Sequence, residues 1–256
     1  MSLFNKLMRP WVRGREFPAA WHEIIKRNFP LLDKLTLDDR RELLEHIKVF
    51  LAEKHFEGCA GLEITDEMRI TIAAQACVLL LHRKADYYPT LQSILVYPSA
   101  YFAEHRERDG IGVVTETIES RLGEAWPHGS VVLSWDNVRN DAADVRDGHN
   151  VVFHEFAHQL DFEDGRQANG SVVLPHRSMH TAWARILGSE FRRLRHDAER
   201  GLPTVLDQYG TKDPAEFFAV ATEAFFTKPT ALKDKHPALY EELKLYYQQD
   251  PVQWGG

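Results

Sequence analysis

The spacing of apolar residues divides the chain into a helical first third, a middle part with strand-like patterns and a helical remainder. Amphipathic spacing predicts helices over residues 18–29 and 36–51, the second with Thr36 as its N-cap. A third predicted helix, over residues 65–83, is apolar on most sides, which indicates that it is buried. The first third is therefore predicted to be helical throughout.

After Pro89 the pattern changes to short β-branched or aromatic runs bounded by proline and glycine, which predict strands. Strands are expected at 93–98, 129–135 and 111–118, and helices follow at 150–162, 178–200, 214–227 and 236–249. We therefore predict an α+β fold in which a small mixed sheet is flanked by helices. A weak boundary near residue 88 separates a helical N-terminal region, 1–88, from a second domain, 89–256.

Composition excludes several classes of protein. The 31 Lys and Arg against 38 Asp and Glu give 31 − 38 = −7, and no basic stripe is present, so direct nucleic-acid binding is not expected. The longest apolar stretch, 72–81, is far below the roughly 20 residues of a membrane span. Without a secretory signal, a cytoplasmic location is predicted. Cys59 and Cys77 cannot form a disulfide framework or a cysteine-based zinc module.

The segment with the clearest chemistry is His154-Glu155-Phe156-Ala157-His158, an H-E-x-x-H motif. Two histidines one helical turn apart can bind one zinc ion, and Glu155 can take a proton from a zinc-bound water. The helix has an apolar face that anchors it, so its other face, with the two histidines and Asp161, is predicted to be polar. Asp161 is either an orienting partner for a ligand imidazole or an ordinary surface carboxylate.

A catalytic zinc site needs a third protein ligand, and two residues compete for this role. Asp164 lies six residues after His158, but the glycine that a metzincin turn requires is replaced by Asp161. Glu216 lies in the first turn of a predicted helix that begins at Asp213, and we prefer it. The same spacing also fits a capping box, in which Glu216 would only stabilise the start of its own helix.

The motif segments taken together resemble those of the Mlc titration factor A (MtfA) family. The resemblance extends from about residue 90 to the end, and more loosely over the helical first third. It rests on 154–161 (HEFAHQLD), 209–219 (YGTKDPAEFFA), 94–98 (ILVYP), 131–135 (VVLSW) and 246–251 (YYQQDP).

This resemblance implies a bacterial cytosolic zinc metallopeptidase of the zincin-like, gluzincin type with aminopeptidase-like activity. The segments also look like those in the catalytic domain of anthrax lethal factor, whose pattern places the third ligand at Glu216 and an oxyanion-assisting tyrosine at Tyr209. One Zn²⁺ per chain and a peptide or protein substrate follow. The family is also associated with the repressor Mlc, which controls a sugar phosphotransferase gene, so the alternative is a non-catalytic protein that sequesters this repressor.

Overall fold

The computed structural model describes residues 3–84, 86–108, 114–121, 123–126, 129–144, 148–164, 168–174 and 176–255. Helices dominate this part of the chain. They are α1 (Leu3–Arg13), α2 (Ala19–Asn28), α3 (Leu37–Glu53), α4 (Asp66–Val78), α5 (Trp135–Ala143), α6 (Val151–Asp161), α7 (Met179–Glu199), α8 (Pro214–Thr227), α9 (Pro229–Lys235) and α10 (Pro237–Tyr247). The strands are β1 (His55–Gly58), β2 (Ser93–Tyr97), β3 (Tyr101–Arg108), β4 (Val114–Arg121), β5 (Gly123–Trp126) and β6 (Ser130–Ser134).

Four of these strands form a mixed sheet in the order β1-β2-β6-β5. β1, β2 and β6 are parallel, with Ser93 opposite both His55 and Ser130, and β5 is antiparallel to β6. β3 and β4 form a separate antiparallel pair. The predicted α+β class, with a small mixed sheet among helices, is therefore confirmed.

Several predicted boundaries need correction. The helix expected over 65–83 ends at Val78, and turns follow, in which His82 adopts a positive φ of 63°. The strand expected over 129–135 ends at Ser134, because Trp135 begins α5. The strand expected at 111–118 corresponds to β4, which continues to Arg121, and residues 111–113 lie outside the described residues.

The first third also contains a strand that the sequence did not predict. β1 pairs with β2 along its whole length. Four residues are too few for their alternation to stand out from the neighbouring helical pattern, so the pairing decides the structure here. Helix α1, before the first predicted helix, and the short helix α9, which begins at Pro229, were not predicted either.

The hydrophobic core continues across residue 88. Phe156 on α6 lies with its ring centroid 5.7 Å from that of Phe50 on α3 and 4.8 Å from that of Tyr88. All three side chains are completely buried. α6 is thus packed against the N-terminal helical region as well as against the later helices, while the division into 1–88 and 89–256 stays a prediction. No helix within the described ranges combines the length and the apolar character that crossing a membrane requires.

Candidate metal centre

The start of α6 is fixed by neighbouring helices. Asn150 caps the helix by accepting a hydrogen bond from the Phe153 backbone N at 2.8 Å. The Asn150 side chain also donates to Gln75 Oε1 on α4 at 2.8 Å, and Asp141 on α5 accepts from the Val151 backbone N at 2.8 Å. Two backbone N–H groups of the first turn, which have no partner within the helix, are therefore hydrogen-bonded. These contacts fix the position of the helix that carries the H-E-x-x-H motif.

The predicted polar face of α6 does carry the two histidines, but it is less exposed than the face of a surface helix. Glu155, Gln159 and Asp161 are all buried, and only the two histidines are partly exposed. The reason is that α6 lies in the middle of the fold, with α3 and α4 on the N-terminal side and α8 against it. The histidines therefore line a recessed site rather than an open helix surface.

The structure brings His154 and His158 together with Glu216 from α8. Both imidazole Nε2 atoms face the same carboxylate oxygen, Glu216 Oε2, at 3.0 Å from His154 and 3.2 Å from His158. The side chains of all three residues are between 12% and 14% exposed. α8 begins at the cap residue Asp213, whose Oδ1 accepts from the backbone N of Glu216 at 3.0 Å. The Glu216 carboxylate is thus directed at the histidines.

These three residues fit a divalent metal ion. One ligand atom from each lies within 4.8 Å of the others. Bonds of 2.0–2.1 Å in a tetrahedral complex place neighbouring ligand atoms about 3.4 Å apart, close to the 3.0 Å and 3.2 Å between the imidazoles and the carboxylate. Two imidazoles and one carboxylate leave a fourth position for water or substrate, which is the donor set of a catalytic zinc site.

A second carboxylate, Glu223, holds His154 from behind. Its Oε1 lies 2.7 Å from His154 Nδ1, and its Oε2 accepts from the Asn150 backbone N at 2.7 Å. Glu223 is only 5% exposed. The sequence suggested Asp161 for such a role, but Asp161 Oδ2 accepts from the Gly170 backbone N at 2.6 Å. The signal for Glu223 was its position two helical turns after Glu216, on the same face of α8.

The carboxylates strongly shift the protonation of the site. Burial opposes the charged form of His154, but the charge of Glu223 and hydrogen bonds to Glu216 and Glu223 outweigh it and raise the pKa of His154 well above its usual value. Burial would raise the pKa of Glu216, yet hydrogen bonds from His154 and His158 lower it far below the usual range. Without a metal ion, the raised pKa of His154 favours a protonated imidazole there, whose charge compensates the carboxylates.

Tyr209 lies at the edge of this group. It belongs to the short 3-10 helix Gln208–Thr211, where Asp207 Oδ1 accepts from the Tyr209 backbone N at 2.6 Å. The phenol ring centroid is 5.9 Å from that of His154. Burial and the charge of Glu216 raise the pKa of Tyr209, so the phenol keeps its proton at neutral pH. Lys212, which the sequence did not single out, has its Nζ 3.4 Å from Tyr209 Oη.

The remaining predicted residues take different positions. Glu155 is buried directly beside His154 in the chain, and its negative charge contributes to the raised pKa of that histidine. The alternative third ligand, Asp164, ends the 3-10 turn Phe162–Asp164, and its side chain lies outside the described residues. The choice between Glu216 and Asp164 is therefore supported by the position of Glu216 alone.

Comparison with known proteins identifies relatives along most of the chain. A family model described as glucose-regulated metallo-peptidase M90 matches residues 4–248. The uncharacterized protein slr2042 of Synechocystis sp. is 41% identical over 239 residues, covering 93% of this chain and 86% of that relative. Mlc titration factor A of Klebsiella pneumoniae is 30% identical over 249 residues, covering 95% and 92%. Mlc titration factor A of Yersinia pestis is 30% identical over 239 residues, covering 93% and 87%.

A buried H-E-x-x-H helix faced by a glutamate from a second helix is the arrangement of a metallopeptidase. The chain belongs to the glucose-regulated metallo-peptidase M90 family, and the resemblance to the Mlc titration factor A family is confirmed. Membership implies a metal cofactor. The gluzincin fold and the likeness to the lethal factor catalytic domain stay predictions.

Proposed function

We propose that this protein is a zinc-dependent peptidase with one Zn²⁺ per chain, held by His154, His158 and Glu216. The observation that carries the proposal is the convergence of the two Nε2 atoms on Glu216 Oε2, at 3.0 Å and 3.2 Å. A structural salt bridge needs only one imidazole for one carboxylate oxygen. Two imidazoles at metal-ligand spacing, on the motif that metallopeptidases use, favour a catalytic metal site.

In this mechanism each residue has a separate task. A bound zinc ion lowers the pKa of water and polarises the substrate carbonyl. Glu155 takes the proton of the attacking water and delivers it to the amine as the peptide C–N bond breaks. Tyr209 donates a hydrogen bond to the oxyanion, a role that its raised pKa supports because the phenol stays protonated. Glu223 fixes the ring of His154 through Nδ1.

In more detail, we propose aminopeptidase-like activity on peptides in the cytoplasm. We also propose that the protein regulates sugar phosphotransferase gene expression by binding the Mlc repressor. The relatives named Mlc titration factor A support the regulatory part. Both cysteines, Cys59 and Cys77, are free thiols, which agrees with a reducing compartment. The net charge of −7 gives no support to direct binding of nucleic acid.

Replacing Glu155 by Gln tests the proposed chemistry. The amide keeps the shape of the side chain but cannot accept the proton of water, so we expect peptide hydrolysis to fall by at least about 100-fold. The zinc content should stay at one ion per chain, because Glu155 is not a ligand. Glu199→Gln, on the exposed end of α7, serves as the matched control and should keep wild-type turnover. Retained hydrolysis in Glu155→Gln would exclude this mechanism.

The second candidate function is repressor sequestration without hydrolysis, which the names of the relatives favour. The same Glu155→Gln variant distinguishes the two, when it is tested for binding to purified Mlc repressor in parallel with wild type. Capture of the repressor by both forms, with no peptide cleaved by wild type, would favour the binding protein. Hydrolysis by wild type alone would favour the peptidase.

A further inference from the structure

Lys212 lies at the edge of the candidate metal centre, between two residues that the proposed mechanism uses. Its Nζ is 3.4 Å from Tyr209 Oη and 3.4 Å from Glu216 Oε1, and it lies 5.3 Å from the centroid of the Tyr209 ring. The Lys212 side chain is 58% exposed. An ammonium group is therefore accessible to a molecule that enters the site.

The contacts of Glu216 divide between its two oxygens. Oε2 faces the two imidazoles, whereas Oε1 faces Lys212. A metal ion held by the two histidines and Oε2 would also interact with the negative charge of Glu216. Lys212 would then share this carboxylate with the metal ion. The Lys212 end of this pair is exposed, and its 3.4 Å contact with Oε1 is long for a charge-assisted hydrogen bond, so another carboxylate can replace Oε1 as the partner of Lys212.

We propose that Lys212 binds a carboxylate of the substrate, one or two residues from the peptide bond that is cleaved. This inference rests on the proposed peptidase function and adds a preference for peptides with a carboxylate close to the cleaved bond. An extended peptide advances about 3.3–3.6 Å per residue, so a carboxylate at that distance lies within the reach of a lysine next to Tyr209. Within the described part of the chain, no other Lys or Arg contacts Tyr209 or Glu216.

Two sources can supply this carboxylate, the C-terminus of a short peptide or an Asp or Glu side chain. Four probes separate them, each incubated with the zinc-loaded full chain. The first pair is tri-alanine with a free C-terminus and its C-terminal amide. The second pair consists of tri-alanine amides in which the second alanine is replaced by Glu or by Gln. We expect kcat/KM for at least one peptide with a carboxylate to be about tenfold higher than for its neutral counterpart, mainly because its KM is lower.

Variants of Lys212 test whether this residue causes the preference. The ratio between carboxylate and neutral peptides should fall to near one in Lys212→Met, remain in Lys212→Arg and reverse in Lys212→Glu. Lys84→Met, which removes an exposed lysine elsewhere, should keep the wild-type ratio. A wild-type enzyme that does not discriminate, or the same ratio in Lys212→Met, would overturn the inference.

A binding measurement separates this inference from the peptidase proposal. Calorimetric titration of the probes into zinc-loaded Glu155→Gln and into Glu155→Gln/Lys212→Met requires no hydrolysis. If wild type cleaves nothing while the carboxylate preference in binding depends on Lys212, the peptidase proposal fails and the inference stands. If peptides are cleaved but neither binding nor turnover depends on the carboxylate, the inference fails and the peptidase proposal stands.

Discussion

Glu223 shows how one buried residue connects the fold to the chemistry. Its two oxygens bind His154 Nδ1 and the Asn150 backbone N, so the same carboxylate orients a proposed metal ligand and stabilises the start of α6. By contrast, His158 Nδ1 is buried and has no hydrogen-bond partner among the described residues. The two imidazoles of the motif are therefore held differently, since only the His154 ring is oriented by a hydrogen bond through Nδ1.

From this difference we predict that Glu223→Gln weakens zinc binding. Loss of the charge behind His154 makes the imidazole a poorer and less well oriented ligand, so the Kd for zinc should rise by about 10- to 100-fold. Competition with a chromogenic chelator measures this change directly. Glu199→Gln, at an exposed position that makes no hydrogen bond or ion pair with the proposed ligands or with Glu223, is the control. An unchanged Kd in Glu223→Gln would show that the contact is only structural.

At the scale of elements, α3 is joined to the chain before β2 by a buried lysine. Lys54 is the C-cap of α3, and its Nζ donates to the backbone oxygens of Tyr88 and Leu91, each at 2.7 Å. Burial lowers the pKa of Lys54 from 10.5 to about 8. These contacts fix the turn that leads into the sheet and keep Tyr88 against α6.

The shifted pKa of Lys54 predicts a specific pH dependence of stability. Between pH 8 and 10.5 the unfolded chain binds more protons at Lys54 than the folded chain does, so the stability of the folded state rises with pH in this window. The free energy of unfolding of wild type, minus that of Lys54→Met, should therefore grow by about 1–2 kcal/mol from pH 8 to pH 9.5. Urea unfolding of both proteins measures it, and a constant or shrinking difference would contradict the assignment.

At the scale of the whole molecule, the sequence predicted what depends on local spacing. Helix period, the caps Thr36 and Asn150, and the four-residue separation of His154 and His158 can all be recognised without tertiary contacts. The burial of α6 could not be predicted, because its buried polar residues depend on packing by other helices. The contact of Glu223 with His154 likewise arises only when α8 lies against α6.

Strand β1 shows the same limit in the sheet. Its four residues have no distinctive pattern, and their conformation follows from pairing with β2 almost forty residues later. The first third of the chain therefore contributes to the sheet as well as to the core around Phe156. Long-range pairing of this kind, and not local propensity, determines how the N-terminal region joins the rest of the fold.

The location of bound zinc is the decisive measurement for the proposed metal site of His154, His158 and Glu216. Crystals of the zinc-loaded full chain, measured at the zinc absorption edge, should show one anomalous peak per chain at the H-E-x-x-H motif. The account predicts that this peak lies about 2.0–2.2 Å from His154 Nε2, His158 Nε2 and Glu216 Oε2. A peak bound by Asp164 in place of Glu216, or no peak between the two histidines, would contradict it.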